Sequence, residues 1–254
     1  MDTLFISDIH LGSERPEKLH LFEAFLQGPA RQASALYILG DLFENFWLGN
    51  DDRQSPSPQV IAALKHFTDN GGRLFILRGN RELMLDTGIE TLTGAALIPD
   101  LSLITLDGKP VLVTHGDVLC TRDSKYQVFR RLMEASPVRW LFRILPYSAR
   151  EWLVHWLSPG FKQSVQKKKP EIMDVEDAAV SDALQRFQVD EMIHGHTHRP
   201  AIHEFSINGR AGRRIVLGDW YDDDALILVC RGEQRHLITV RDYMQEKLNK
   251  KGAE

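Results

Sequence analysis

Short unbroken apolar runs alternate along this chain with longer stretches in which apolar residues recur every three or four positions. The runs are Leu4-Phe5-Ile6, Leu36-Tyr37-Ile38-Leu39, Leu74-Phe75-Ile76-Leu77, Val111-Leu112-Val113 and Met192-Ile193. A strand with one wet face alternates apolar and polar residues, so an unbroken run predicts a strand covered on both faces. Between the runs, Glu17 to Leu26 follows Pro16 and sets Leu19, Phe22, Phe25 and Leu26 on one helical face, while a helix from Pro58 to Asn70 is closed by Gly71-Gly72. Strand, helix and strand succeed one another repeatedly, which predicts an α/β domain with mainly parallel pairing through right-handed crossovers.

Past Asp100 the strands shorten. Ser102 to Leu106 and Pro110 to His115 are joined at Asp107-Gly108, a hairpin turn pair. From Arg122 to Pro170 the β pattern disappears, and Lys125 to Met133, Val138 to Leu145 and Ser148 to Leu157 read as helices broken by Pro137, Pro146 and Pro159. Residues 122–170 are therefore expected to form a helical lid insertion within one domain spanning residues 1–254. A helix from Val175 to Phe187, capped by Asp174, leads back to strands near Ala201 to Phe205, Arg213 to Leu217, Ala225 to Cys230 and Arg235 to Val240. Asp242 to Glu254 reads as a frayed surface helix.

The residues that close the apolar runs are of metal-ligand types. The runs end in Asp8-Ile9-His10, Gly40-Asp41, Gly79-Asn80-Arg81-Glu82, His115-Gly116-Asp117 and Gly195-His196-Thr197-His198. Gly40 allows a sharp turn that presents Asp41 at a strand's C-terminal end, where ligands bind in open α/β sheets. Singly, an Asp at a strand end is more often a turn former or helix cap, and an isolated His115 more often a satisfied interior histidine. Together, carboxylate, imidazole and amide oxygen make a mixed donor set suited to Mn²⁺, Fe²⁺ or Zn²⁺. Two cations sharing Asp41 would lie roughly 3.5–4 Å apart, a spacing that polarises a phosphoryl oxygen and activates water. His194, just inside its strand, reads as structural.

Composition sets outer limits. With 254 residues, 43% hydrophobic and 26% charged, the chain is neither disordered nor fibrous. Its two cysteines, Cys120 and Cys230, cannot staple a fold and read as small buried hydrophobes in a reducing compartment. No basic-apolar leader is evident, and no apolar run approaches the ~18 residues of a membrane span, which predicts a cytoplasmic location, at most peripheral to a membrane. A net charge of −4 by itself argues against a bulk nucleic-acid binder, and no nucleic-acid partner is expected. The charge is unevenly placed: residues 122–170 hold 11 Lys and Arg against 3 acids, giving +8 there and −12 elsewhere. Trp140, Trp152 and Trp156 fall in the same stretch, and basic-aromatic short helices suit an anionic membrane surface and a greasy substrate. The plainer alternative is a helical insertion with its own small core and a solvated basic face; nucleic acid is a second rival, since basic-aromatic surfaces also stack bases, but the Trp and Leu content favours acyl chains.

These residues resemble the calcineurin-like metallophosphoesterase superfamily, whose fold is a β-sandwich flanked by helices around a two-metal site. The resemblance implies that Asp8, His10, Asp41 and His198 bind one metal, and Asp41, Asn80, His115 and His196 the other. A closer likeness is carried by Tyr37-Ile38-Leu39-Gly40-Asp41-Leu42-Phe43-Glu44, Gly79-Asn80-Arg81-Glu82, His115 to Thr121, Ile172-Met173-Asp174-Val175, Ile193 to Pro200 and Val216-Leu217-Gly218-Asp219-Trp220. Within the superfamily these stretches are similar to the family of UDP-2,3-diacylglucosamine hydrolases of lipid A biosynthesis. That likeness implies hydroxide attack on the α-phosphorus of a nucleotide-linked diacyl sugar at the inner membrane's cytoplasmic face, yielding UMP and 2,3-diacylglucosamine 1-phosphate, with Mn²⁺ preferred. It further implies catalytic roles for Asp41, Asn80, Arg81 and His115, and substrate contacts from Asn80, Arg81, Asp123, Lys168 and His196. The chain departs from the family pattern at Glu82, where Asp is usual, in a loop one residue longer at 47–52, and at Phe161 and Val165, which stand at positions of small polar contacts. Two other functions fit the same motifs: a nucleotide pyrophosphatase or phosphodiesterase acting on a soluble substrate, and a noncatalytic binding module, which would be marked by lost ligands.

Overall fold

The computed structural model describes residues 2–44, 53–54, 56–166, 174–207, 209–221 and 225–251. Its first half runs β1 (Thr3–Ile6), α1 (Pro16–Gln27), β2 (Ala35–Leu39), α2 (Ser57–Asp69), β3 (Leu74–Leu77), α3 (Gly88–Thr93), β4 (Ala96–Ile98), β5 (Ser102–Leu106) and β6 (Lys109–Thr114). Three helices follow, α4 (Ser124–Glu134), α5 (Ser136–Ile144) and α6 (Tyr147–Gln166), then α7 (Asp177–Phe187) and β7 (Glu191–His194). The chain closes with β8 (Ala201–Ile207), β9 (Arg210–Val216), β10 (Leu226–Arg231), β11 (Gln234–Thr239) and α8 (Val240–Lys251).

Among the described residues, the strands form a six-stranded sheet, order β11-β10-β1-β2-β3-β4, and a five-stranded sheet, order β5-β6-β7-β9-β8. The unbroken apolar runs are explained by burial on both faces. Leu4, Ile6, Leu36 and Ile38 pack toward α1 and α2, whereas Phe5, Tyr37 and Leu39 meet Val111, Val113, Ile193 and Ile215 of the other sheet. On that sheet's far side Leu112 and Met192 pack against Val180 and Leu184 of α7. The result is a four-layer αββα arrangement, as expected. In the first sheet β1, β2, β3 and β4 pair in parallel, and in the second β6, β7 and β9 do. The hairpin at Asp107-Gly108 forms as expected, with φ of 50° and 81°, both positive as a two-residue hairpin turn of this kind requires.

Four expectations are corrected. Helix α6 does not stop at Leu157 but continues through Pro159 to Gln166; a proline removes one backbone hydrogen bond, and the helix retains the others on either side. Helix α7 begins at Asp177 with Glu176, not Asp174, at its N-cap. The preceding segment is held extended because Glu176 N donates to Leu119 O (3.2 Å) and Val175 is buried. The C-terminal helix is no loose surface element: it starts at Val240, and both Val240 and Tyr243 are buried. Its Tyr243 hydroxyl donates to Asp2 (3.0 Å), which also meets Arg231 (3.0 Å) and Lys247 (3.1 Å).

The fourth correction concerns the charge of the insertion. Arg130 is buried and reaches Asp100 (2.6 Å), Asp117 (2.9 Å) and Glu134 (3.2 Å). Arg150 is buried too, with its guanidinium over the rings of Phe142 and Tyr147. Arg139 donates to Leu85 O (2.6 Å), Arg143 lies 3.3 Å from Asp86, and Arg122 pairs with Glu176. Arg130 and Arg150 are thus drawn inside, and Arg122, Arg139 and Arg143 meet partners of the protein, so these five are not part of a free basic face.

Candidate metal centre

Parallel pairing brings the C-terminal ends of β1, β2 and β3 to one edge of the first sheet, and those of β6 and β7 to the same edge of the second. The turns there are stitched together: Asp8 N donates to Gly40 O (3.1 Å), His10 N to Asp41 O (3.0 Å) and Gly195 N to His115 O (2.9 Å). Gly40, at φ 90°, has no room for a Cβ, which would stand 2.6 Å from Gly79 Cα and from His115 Nδ1. Five of the expected ligands adopt left-handed backbone, Asp8 (φ 53°), His10 (53°), Asp41 (52°), His196 (71°) and His198 (55°). Non-glycine residues are uncommon in that region, and such outliers collect at functional sites.

All seven expected metal ligands meet here. His10 Nε2, His198 Nε2 and Asp8 Oδ1 form one group, with His198 3.4 Å from each of the other two. Asn80 Oδ1, His115 Nε2 and His196 Nδ1 form a second, separated by 3.0, 3.0 and 3.2 Å. Asp41 lies between them, Oδ2 3.9 Å from His10 Nε2 and Oδ1 3.6 Å from His115 Nε2. Asp8 also approaches Asp41 and His115 closely enough to share a cation with them.

The electrostatics favour positive charge. Burial opposes ionisation of Asp8, but the fields of His115 and His198 and a hydrogen bond from the Ser7 hydroxyl hold its carboxyl well below the usual range. Its Oδ1 is buried and, among the described residues, has no hydrogen-bond partner. Burial alone would lower His115, yet Asp41, Asp8 and Asp117 raise it to about 9. A proton is the smallest cation that answers this field, and a divalent ion answers it better. Burial keeps His10 and His196 neutral, down at about 3 and about 4, so each has a lone pair to offer. His115 Nδ1 faces Leu39 O at 2.9 Å, which fixes one proton there and turns Nε2 into the cluster, where a cation would take the place of its second proton. An ionised, orphaned oxygen beside neutral imidazoles is a donor set that fits a pair of divalent ions.

The remaining expected residues divide. Arg81 sits at the rim, its N–H donating to Asp41 Oδ1 (2.9 Å) and its guanidinium to Glu44 (3.2 Å). It does not pair with Glu82, whose buried carboxylate accepts from the backbone N–H of Asp41 (3.0 Å), Gly79 (3.0 Å) and Phe43 (2.8 Å). Asp123 is the N-cap of α4 and accepts from Tyr126 N (3.1 Å). Lys168, the loop at 47–52 and the side chains of Phe161 and Val165 lie outside the described residues. His194 is buried away from the ligand groups and faces Gly195 O (2.9 Å).

Sequence reasoning assigned no role to Glu44, Asp100, Asp117, Arg130 or Asp219. Asp100 Oδ1 accepts from Thr114 Oγ1 (2.6 Å) and His115 N (3.2 Å) while its Oδ2 takes Arg130 from α4, so the insertion is rooted at the His115 turn. For Asp219 a signal existed: Gly218-Asp219 repeats the Gly-Asp ending of the β2 run.

The family model for calcineurin-like phosphoesterase matches residues 1–200. A UDP-2,3-diacylglucosamine hydrolase of Aeromonas hydrophila subsp. hydrophila is 44% identical over 236 residues, covering 92% of this chain and 97% of the relative. The protein of the same name from Azotobacter vinelandii is 43% identical, covering 93% and 98%. That from Vibrio parahaemolyticus serotype O3:K6 is 39% identical, covering 90% and 94%.

Proposed function

As this chain belongs to the calcineurin-like phosphoesterase family, we propose that it hydrolyses the pyrophosphate bond of UDP-2,3-diacylglucosamine, releasing UMP and 2,3-diacylglucosamine 1-phosphate for lipid A biosynthesis. The observation that carries the reading is Asp41, buried with its two oxygens turned toward two separate groups of nitrogen and oxygen donors. The family uses divalent metals. Asp8, His10, Asp41 and His198 would hold one ion and Asp41, Asn80, His115 and His196 the other, with Mn²⁺ favoured by the mixed donors. When bound, such a pair acts as Lewis acid on a phosphoryl oxygen and lowers the pKa of water.

The chain's own residues supply orientation. Arg81 carries a guanidinium, a group that serves as a hydrogen-bond donor and not as a general acid toward a leaving alkoxide. Its planar fork can hold a phosphate through paired charge-assisted hydrogen bonds, and a departing sugar phosphate, already a weak base, has little need of a proton. A phosphoanhydride therefore suits this site better than an alkyl ester. Asn80 and His196 line the same group and would touch the phosphate; Asp123 and Lys168 would contribute from the insertion.

Residues 122–170 act, in this reading, as a lid for the acyl chains. Val128, Leu132, Trp140, Leu141, Ile144, Trp152 and Trp156 on α4, α5 and α6 are each more than half exposed. Trp152 and Trp156 stack at 6.4 Å. Apolar area of this kind on a folded surface marks an interaction site, here diacyl chains and the anionic cytoplasmic face of the inner membrane. None of the helices, among the described residues, is long and apolar enough to span a bilayer, so the association would be peripheral. The test is incubation with Mn²⁺ and UDP-2,3-diacylglucosamine in ¹⁸O-labelled water. Label in UMP is expected; label in the sugar phosphate, or no hydrolysis, overturns the proposal.

A further inference from the structure

Two carboxylates outside the ligand set stand behind the imidazoles of the first cation's site. The Nδ1 of His198 lies 3.1 Å from Asp219 Oδ2, while its Nε2 faces Asp8 Oδ1 and His10 Nε2. A carboxylate can only accept, so this contact requires the proton on Nδ1 and leaves the Nε2 lone pair directed into the cluster. His10 is arranged likewise. Its Nε2 faces Asp41 and His198, and its buried Nδ1, which lacks a hydrogen bond, faces Glu44 Oε2 at 3.4 Å.

Both acids are held by the fold and not by chance. Asp219 follows β9, whose end is tied to β7 by Leu217 N donating to His194 O (2.7 Å). The next residue, Trp220, is fully buried against Phe22 and Phe25. Glu44 is fixed by its own N–H on Leu11 O (2.9 Å), which joins the turn after β1 to the turn after β2. Its other oxygen receives Arg81. The Asp219 side chain is 14% exposed and that of Glu44 42%, so Asp219 exerts the stronger hold.

We propose that Asp219 and Glu44 are positioning residues of the metal centre: Asp219 fixes the ring and tautomer of His198, and Glu44 steadies His10 while holding Arg81 beside it. The inference rests on the ligand reading above. Carboxylates behind metal-bound histidines typically contribute 10–100-fold to metal affinity. Asp219 also meets the Tyr221 hydroxyl, but Tyr221 is 55% exposed and water can replace that bond.

The experiment is titration of the metal-free full chain with Mn²⁺ by equilibrium dialysis and elemental analysis, with melting in EDTA alongside. Asp219→Ala is expected to weaken one of two Mn²⁺ sites by about 10–100-fold without lowering the EDTA melting point, and excess Mn²⁺ should restore turnover. Asp219→Asn, whose amide oxygen can still accept from Nδ1–H, should lose less. Glu44→Gln should show a smaller loss of affinity together with a raised KM. His198→Ala serves as control. If it binds two Mn²⁺ as the parent does, the ligand reading fails. If it loses a site while Asp219→Ala and Asp219→Asn keep the parent affinity, or if Asp219→Ala lowers only the EDTA melting point, the positioning role is refuted.

Discussion

Glu82→Ala should destabilise the metal-free protein by about 3–5 kcal/mol although Glu82 is not among the expected ligands. The carboxylate accepts three backbone N–H groups that begin the turns after β2 and β3: Asp41 and Gly79 on one oxygen, Phe43 on the other. Glu82 is 1% exposed, so alanine would strand three buried donors at about 1–3 kcal/mol each. Relief opposes this. Burial, and then the charge of Asp41, push the Glu82 carboxyl up to about 8, so removing it also removes an unfavourable buried acid. Glutamine is the sharper probe. Its oxygen can keep the two donors on one side, but its NH₂ must then face Phe43 N–H, one lost bond at about 1–2 kcal/mol. Urea unfolding in EDTA, followed by tryptophan fluorescence, measures both variants. A change below about 1 kcal/mol for alanine, or a glutamine variant as damaged as alanine, would refute the argument.

Asp41→Asn is expected to reduce kcat by several orders of magnitude and to weaken both metal sites, read by kinetics and metal analysis; two tightly held ions with near-normal turnover would sink the bridging role. Trp152→Ser combined with Trp156→Ser should raise KM for a diacyl substrate and weaken sedimentation with anionic vesicles, while leaving hydrolysis of a short-chain analogue nearly unchanged. Asp2→Asn tests the clamp on α8. Burial opposes the Asp2 charge, but hydrogen bonds from Arg231 and Lys247 outweigh it and lower the carboxyl to about 2. A depressed acid stabilises above its unfolded value and loses that contribution as pH falls through the folded one. Linkage gives about 2 kcal/mol at neutral pH, nearer 1 after allowing for solvent. The parent's advantage over Asp2→Asn in Tm should therefore vanish between about pH 4 and pH 2, and an advantage that persists below would count against the clamp.

How much of this was legible in the residues depends on whether the signal was local. Strands buried on both faces announce themselves, because no polar residue can interrupt them, and their ends are where donors must stand. Hence β1, β2, β3, β6 and β7 and all seven expected ligands fell where the runs implied. The weak points were places where a local signal met a tertiary one. Pro159 looks like a stop, but one lost hydrogen bond does not end a twenty-residue helix. Asp174 looks like a cap, yet its Oδ1 accepts from Val175 N (2.9 Å) and its Oδ2 takes Arg199 (2.6 Å), and the helix waits until Asp177. The charge of the insertion was counted correctly but not placed, since counting cannot tell Arg130, whose acids lie at Asp100 and Asp117, from a solvated arginine.

Backbone strain was the least legible feature, and it bears on what each ligand contributes. Asp8, His10, Asp41, His196 and His198 all sit at positive φ, a conformation that costs an ordinary side chain about 1–2 kcal/mol. Asp is among the residues that tolerate it best, through local hydrogen bonds. Alanine at Asp41 would therefore lose stability for two reasons, the missing carboxylate and the disfavoured backbone, whereas asparagine keeps the backbone tolerance and removes only the charge. These turns are braced by Glu82, by the Gly40 and Asp41 carbonyls, which accept from Asp8 N–H and His10 N–H, and by the close Gly40–Gly79 approach. Five of the donors converge on left-handed backbone, while Asn80 and His115 reach the same cluster without it. A comparison of Asp41→Ala with Asp41→Asn in EDTA reads the backbone cost together with the acceptor that Arg81 N–H loses in alanine: at least about 1 kcal/mol in favour of asparagine is expected, and equal stabilities would refute both.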